Sequence, residues 1–204
     1  MSLYGKLMAL FPALHTSLVL ASFVLFVFEP SLSSLLTIPA TVYLFPLVVF
    51  HIHQMLAPLE EGTYSIVQGY SAWYGTHMIQ TFFISFTGAE RFLRMFPGLF
   101  SLWLRLWGSK VGKAVYWTPH FELADRGMLV IGNQAVFGYG VKISCHVISP
   151  CKELGLKNYI KKVEIGNGSF VGAASRLAPG VIVKDGAMVK ATIDVYPDTV
   201  VEKK

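Results

Sequence analysis

The stretch Ile165-Gly-Asn-Gly-Ser-Phe-Val171-Gly-Ala-Ala-Ser-Arg-Leu177-Ala-Pro-Gly-Val-Ile-Val183-Lys-Asp-Gly-Ala-Met-Val189 decides the fold. An aliphatic residue opens every hexad, at Ile165, Val171, Leu177, Val183 and Val189, a period that belongs neither to an α-helix nor to an ordinary strand. Four places after each opener stands a small or β-branched residue: Ser169, Ser175, Val181, Ala187 and Ile193. A glycine or other small residue mostly follows the opener, as in Ile165-Gly166, Val171-Gly172 and Leu177-Ala178. This pattern predicts a β-helix, in which each short strand forms one flat side of a prism and the opener points to its axis. The chain then turns a corner, where glycine relieves the backbone strain.

The phase extends backwards. Ile131, Phe137 and Ile143 open three more units, with Ala135, Val141 and Val147 at the small inward place. Val111, Trp117 and Leu123 open an earlier set, joined to the later phase by two residues inserted after Gly127. A β-sandwich with irregular alternation is the weaker alternative, because it does not require openers that stay in step.

The N-terminal part is of a different kind. Leu7 to Phe28 contains no Asp, Glu, Lys or Arg, and as a helix it reaches about 33 Å, enough for a hydrocarbon layer of ~30 Å. Leu35 to Leu56 is a second uncharged apolar stretch, and Glu29-Pro30-Ser31 between them reads as a tight reversal, so residues 1–60 are expected to form a transmembrane helical hairpin. A cleaved signal peptide fits less well, since the apolar run exceeds the usual h-region of about 7 to 15 residues and no Ala-x-Ala site follows. Lys6 precedes the first span and Arg91, Arg94, Arg105, Lys110 and Lys113 follow the second, whereas the turn carries only Glu29. The positive-inside tendency then places both termini and the C-terminal domain in the cytoplasm of a bacterial-type inner membrane, with the protein multi-pass.

Residues 61–110 are expected to be interfacial. Tyr64 to Phe86 is aromatic but carries Gln68, Ser71, His77 and Gln80, too polar for a third span and suited to lying along the bilayer. Arg91, Arg94, Gly98, Ser101 and Arg105 fall on one stripe of a helix whose other faces hold Phe92, Leu93, Phe96, Phe100, Trp103, Leu104 and Trp107. Such a helix suits a membrane surface, or packing on the base of the prism, and Pro97-Gly98 is expected to bend it. Neither His51 nor His53 has an aspartate five places on, so a His-x4-Asp phospholipid acyltransferase is unsupported, and His15 has no evident partner.

The net charge of +5 does not point to nucleic acid, because much of it lies beside the membrane or in Lys152 to Lys162. Anionic lipid and phosphorylated co-substrates are the expected partners. Cys145 and Cys151 fit reduced thiols of a cytosolic domain, with neither metal binding nor a disulfide expected.

The strings Ile131-Gly-Asn-Gln-Ala-Val-Phe-Gly-Tyr-Gly, Ile165-Gly-Asn-Gly-Ser-Phe-Val-Gly-Ala-Ala-Ser and Leu177-Ala-Pro-Gly-Val-Ile-Val-Lys-Asp-Gly-Ala resemble the hexapeptide-repeat acyltransferases. The tail Asp194-Val195-Tyr196-Pro197-Asp198 is similar to that family's closing turn. The likeness covers about Val111 to Val201. It implies a left-handed parallel β-helix over 111–204, a homotrimer, and acetyl-CoA or another acyl-CoA as co-substrate in the cleft between prisms, with no permanently bound cofactor. It also implies a histidine as general base toward an acceptor hydroxyl or amine, a position matched here by His146. In the last coils it points to Ala173, Ala174, Gly180, Lys184 and Lys190 as contacts for the pantetheine arm and nucleotide.

Read from the residues alone, His146 stands three places after an opener and is expected to point outward. A histidine so placed can take a proton from an attacking group. His120, three places after Trp117, is a second candidate for the same cleft, and Glu122, Asp125 and Asn133 are the open alternatives for an orienting partner. The departure from the repeat between Ser149 and Val163 is expected to be a protruding loop whose Lys152, Lys157, Lys161 and Lys162 meet coenzyme phosphates or lipid, or are simply solvated. With membrane spans beside it, the acceptor is expected to be lipid-linked or amphiphilic. Two competing readings are a non-catalytic membrane scaffold and a zinc carbonic anhydrase. The latter needs three converging histidines, and only His120 and His146 follow Thr118.

Overall fold

In the computed structural model, which describes residues 3–203, the chain forms two compact units. One runs to Leu59 and resumes over Ile66–Phe86; the other takes Glu60–Ser65 and everything from Thr87 onward. The segment 61–110 is therefore not a unit of its own.

The first unit is helical: α1 (Leu3–Phe28), α2 (Leu32–Pro39), a π-helical turn (Ala40–Leu44), α3 (Phe45–Leu56) and α4 (Ala72–Ser85). Ser31 starts α2 with a reciprocal cap, its hydroxyl accepting from Ser34 N while the Ser34 hydroxyl accepts from Ser31 N. From there Leu32–Leu56 runs as one interrupted helix. It and α1 are long and apolar enough to cross a membrane by length and composition, and only 22% of each one's most apolar window is buried.

Pro46 explains the π turn. In that register Phe45 N bonds Ala40 O, and the Thr41 carbonyl would take the N–H of residue 46, which proline lacks. His15 Nε2 donates to that carbonyl at 3.0 Å instead, so His15 has a partner that the sequence did not suggest. The helix α4 packs against α1 and α3 with Thr76, Ile79, Gln80 and Phe83 buried, and it does not form the separate surface segment expected of Tyr64 to Phe86.

The second unit opens with β1 (Gly62–Ser65), α5 (Gly88–Arg94) and α6 (Leu99–Leu106), followed by β2 (Lys110–Val111), β3 (Glu122–Leu123), β4 (Leu129–Ile131), β5 (Val136–Phe137) and β6 (Lys142–Ile143). A hairpin of β7 (His146–Cys151) and β8 (Gly155–Ile160) comes next, then β9 (Val163–Ile165), β10 (Phe170–Val171), β11 (Arg176–Leu177), β12 (Ile182–Val183), β13 (Met188–Val189), β14 (Asp194–Val195) and β15 (Val200–Val201).

Three parallel sheets, B, C and D, build a β-helix, while β1, β8 and β7 form a separate antiparallel sheet A. Sheet B is β2-β4-β9-β12-β15, sheet C is β5-β10-β13 and sheet D is β3-β6-β11-β14. In sheet B Val111 lies against Ile131, Ile131 against Ile165, Ile165 against Val183 and Val183 against Val201. The openers therefore stack in columns, and Val171, Leu177, Val183 and Val189 are all buried. The first coil joins as the sequence phase predicts, with Leu123 on Ile143 and the Trp117 and Phe137 rings stacked at 4.7 Å. Two inward assignments differ. Val147 is 39% exposed because the chain has already left the coil for β7, and Ile193 is exposed beside the open last turn.

The corner residue is the third after the opener. There φ is positive at Ala114, Gln134, Gly140, Gly168, Ala174, Gly180, Gly186, Thr192 and Asp198, the left-handed conformation that lets a coil turn in so few residues. The glycine after the opener has another cause. A Cβ on Gly132 would stand 2.6 Å from Asn167 N and 2.7 Å from Gly166 C, backbone atoms of the next coil that cannot move aside.

The arginine stripe is not one helix. It breaks at Gly98 (φ +77°) into α5 and α6; Ser101 is buried and Arg94 half-buried, while Arg91 and Arg105 stay exposed. Phe100, Trp103, Leu104 and Trp107 are buried over the first coil, with Phe100 edge-on to Trp117 at 5.1 Å. Ser101 accepts from Trp117 Nε1 at 2.8 Å, and Arg105 donates to Val111 O and Gly112 O. These helices close the first end of the prism, an end whose apolar axis would otherwise meet solvent.

Candidate active site

Three corner positions depart from the left-handed turn. His120, Arg126 and His146 occupy corner positions without positive φ, and at His146 the chain leaves the prism altogether. What the sequence suggested was a loop is the β7–β8 hairpin, extended by antiparallel β1. It re-enters the coil at Lys161, whose N–H bonds Cys145 O. Release from the left-handed corner turns the His146 ring back over the preceding coil.

There Asp125 waits. The register that puts Leu123 under Ile143 also puts Asp125 under Cys145, beside His146. His146 Nδ1 lies 2.8 Å from Asp125 Oδ2, and the same oxygen accepts from Cys145 N at 2.8 Å. The Asp125 side chain is 2% exposed and that of His146 15%. A carboxylate fixed by a backbone N–H and held on Nδ1 selects the tautomer with its proton on Nδ1, so Nε2 presents a lone pair on the ring's opposite edge. The same charge stabilises the imidazolium that forms when Nε2 takes a proton. Ser144 locks the turn, its hydroxyl donating to His146 O at 2.9 Å and lying 3.3 Å from Nδ1.

Cys145 is not a nucleophile in this arrangement. Its thiol is buried and points to Met128 O at 3.3 Å, and burial, reinforced by the Asp125 charge, pushes it well above the usual thiol range. Both cysteines are free. Among the described residues no group of three His, Cys, Asp or Glu side chains is placed to hold a metal ion.

The other candidates are distributed over different corners. His120 lies between sheets C and D, against the Tyr139 ring at 4.6 Å, and so does not share the His146 corner of its own prism. Ala173, Ala174 and Lys190 lie on that same C–D corner, while Lys184 lies between B and C. Asn133 also belongs to the B–C corner, where it accepts from Lys113 N and bonds Asn167; it does not orient His146. Glu122 pairs with Lys142 at 2.8 Å on the outer face of sheet D. Gly180 alone stacks over the His146 corner, and Asp198 follows it, bound by Lys161 at 2.7 Å and by the Tyr159 hydroxyl at 2.8 Å. Lys162 faces Glu61 at 3.5 Å, so two of the four lysines expected to meet phosphate are engaged within the protein.

One feature beneath the dyad had no signature in the repeat. Arg126, next to Asp125, is buried and pairs with buried Glu90 of α5 through Nε–Oε1 at 2.6 Å and Nη2–Oε2 at 3.0 Å. Trp103 Nε1 donates to Glu90 Oε1 at 2.9 Å. The Arg126 carbonyl accepts from Ser109 Oγ, which in turn accepts from Leu129 N. The loop carrying Asp125 is thus fixed from both sides, and the two residues inserted after Gly127 are the length this bend requires.

No family model matches the chain, and no curated protein matches it in sequence. Solved structures that superpose on part of it include a hexapeptide-repeat-containing acetyltransferase from Vibrio cholerae, with 15% identity, 57% of this chain and 83% of that chain covered, and a TM-score of 0.41. Its complex with acetyl coenzyme A, from Vibrio cholerae O1 biovar eltor, gives 16%, 60%, 82% and 0.39 in the same order. A galactoside acetyltransferase in complex with coenzyme A gives 16%, 55%, 73% and 0.35. At these identities and scores the likeness is distant, and the β-helical architecture described above rests on this chain's own strand registers.

Proposed function

We propose that this chain is an acyl-CoA-dependent acyltransferase that moves an acetyl or longer acyl group to a hydroxyl or amine of a lipid-linked or amphiphilic acceptor. The observation that carries the reading is the buried Asp125 carboxylate on His146 Nδ1 at 2.8 Å, at the one corner where the coil is broken. His146 Nε2 takes the proton of the acceptor as its oxygen or nitrogen attacks the thioester carbonyl. The tetrahedral adduct collapses, the C–S bond breaks, and the coenzyme leaves as its thiol with the proton the imidazolium returns.

In this reading the prism is left-handed and assembles as a trimer. A trimer is supported by the division of the expected donor contacts: Ala173, Ala174 and Lys190 occupy a different corner from His146 and Gly180, and a cleft between neighbouring prisms would bring two corners together. The amphiphilic acceptor is supported by α1 and Leu32–Leu56, apolar helices whose surfaces are mostly uncovered. With both spanning an inner membrane and the termini cytoplasmic, donor and acceptor meet on the cytoplasmic side.

Native mass spectrometry of the full chain in detergent tests the assembly and the donor together. A trimer taking up coenzyme A in up to three copies is expected; a monomer that takes up none at millimolar coenzyme would contradict the reading.

A further inference from the structure

A cavity of about 550 Å³ opens between the α5–α6 break and the B–C corner of the first coil, with Arg94, Phe96, Phe100, Arg105, Lys113 and Tyr116 among its walls. Among the described residues no carboxylate lines it. Glu90, on the same helix as Arg94, is already taken: Arg126 holds both its oxygens and Trp103 donates to one of them. Two guanidinium groups therefore surround one carboxylate, and the surplus charge is that of Arg94.

Arg94 is held without a hydrogen-bonding partner for two of its nitrogens. Its Nε and Nη1 are shielded from solvent and make no hydrogen bond, and the guanidinium lies over the Phe100 ring with Cζ 4.5 Å from the centroid. Burial lowers its pKa to about 10, with Glu90 acting in the opposite direction. Arg105 spends its donors on Val111 O and Gly112 O but adds its charge, and exposed Lys113 adds another. Nε and Nη1 themselves are closed to a ligand; it is the rest of the part-exposed Arg94 side chain that lines the cavity, where no carboxylate balances its charge. Around the break Phe92, Met95 and Phe96 are exposed, so the approach to this cationic cavity is apolar.

We propose that this cavity binds the phosphate group of an anionic amphiphile, with Arg94 as the phosphate-pairing residue and the exposed aromatic rim taking the apolar part. Three cations around one cavity suit a phosphate better than a single carboxylate. The site stands apart from the acyl-transfer corner, since its coil residues lie between sheets B and C while His146 lies between D and B. It does not depend on the acyltransferase reading.

Calorimetric titration of the full chain in nonionic detergent tests the proposal, with dioctanoylphosphatidylglycerol, dioctanoylphosphatidylcholine, inorganic phosphate and coenzyme A as separate probes. Saturable binding of the anionic lipid is expected, weakened about tenfold or more by Arg94→Gln and unchanged by Arg91→Gln, an exposed arginine on the same helix. Phosphatidylcholine and inorganic phosphate should bind at least about tenfold more weakly. Equal binding by wild type and Arg94→Gln overturns the proposal. Inorganic phosphate binding as tightly as the lipid makes it a free-anion site, and competition by coenzyme A makes it a donor subsite; either result overturns the amphiphile. Should Arg94→Gln fail to fold, Lys113→Gln on the exposed corner carries the test, with a loss of about threefold expected and no loss overturning the proposal.

Discussion

His146→Ala should lower the turnover of acyl-CoA with acceptor by about 10²- to 10⁴-fold, the usual contribution of a positioned general base, while leaving coenzyme binding in place. Asp125→Asn is the sharper companion. A single oxygen, Asp125 Oδ2, accepts both from His146 Nδ1 and from Cys145 N, and the carbonyl oxygen of asparagine can take the same two bonds. The substitution therefore removes the charge and keeps these two bonds. A charge-assisted hydrogen bond reduced to a neutral one should lower the rate by about 10- to 100-fold, a smaller loss than that of His146→Ala. Cys145→Ala should retain activity, because the thiol faces Met128 O in the interior. Steady-state rates of the three variants check the assignment. If Cys145→Ala abolished transfer and His146→Ala spared it, the roles given to the two neighbours would be reversed.

The second large effect is on stability. Glu90→Leu should destabilise the β-helical unit by about 3–5 kcal/mol, because it removes the carboxylate from the Arg126 guanidinium, whose side chain is 1% exposed, and the acceptor that Glu90 gives the Trp103 N–H. Glu90→Leu combined with Arg126→Met should regain most of that loss, since an apolar pair of similar volume needs no compensation. Denaturant melts of wild type, single and double variants measure both. A double variant no more stable than the single would mean that the pair acts through more than its charge, for instance by shaping the Asp125 loop.

Much of this architecture is legible in the sequence, and the reason is steric repetition. Coils related by a fixed offset place identical backbone positions on top of one another, so openers, inward small residues and tight glycines recur at positions that can be counted. The same arithmetic reaches into the site: the offset from Leu123 to Ile143 stacks Asp125 on Cys145, which distinguishes it from Asn133 and Glu122 as the partner of His146. Asn133 misled because nearness in repeat number says nothing about which of three corners a residue occupies. His120 follows an opener on a different sheet and therefore stands on the C–D corner of its own prism, with Ala173, Ala174 and Lys190.

Where the repeat stops, its logic stops with it. Glu90 and Arg126 are joined by the packing of α5 against the first coil, a contact that no periodicity encodes. The stripe of Arg91, Arg94, Ser101 and Arg105 has the spacing of a surface helix, yet Gly98 breaks it and Ser101 and Arg105 bond the first coil. In the helical unit, His15 found its partner only because Pro46 withholds an N–H from the Thr41 carbonyl, a consequence of folding two apolar helices side by side.

The most direct test of the central claim is transfer itself. The full chain is reconstituted in vesicles of bacterial membrane lipid with acyl-labelled coenzyme A outside, and the label is counted in the organic-extractable fraction. Wild-type protein should move label from the coenzyme into that fraction, and His146→Ala should leave it at background. Label that remains in the aqueous phase with wild type, or that moves equally fast with His146→Ala, would contradict the account.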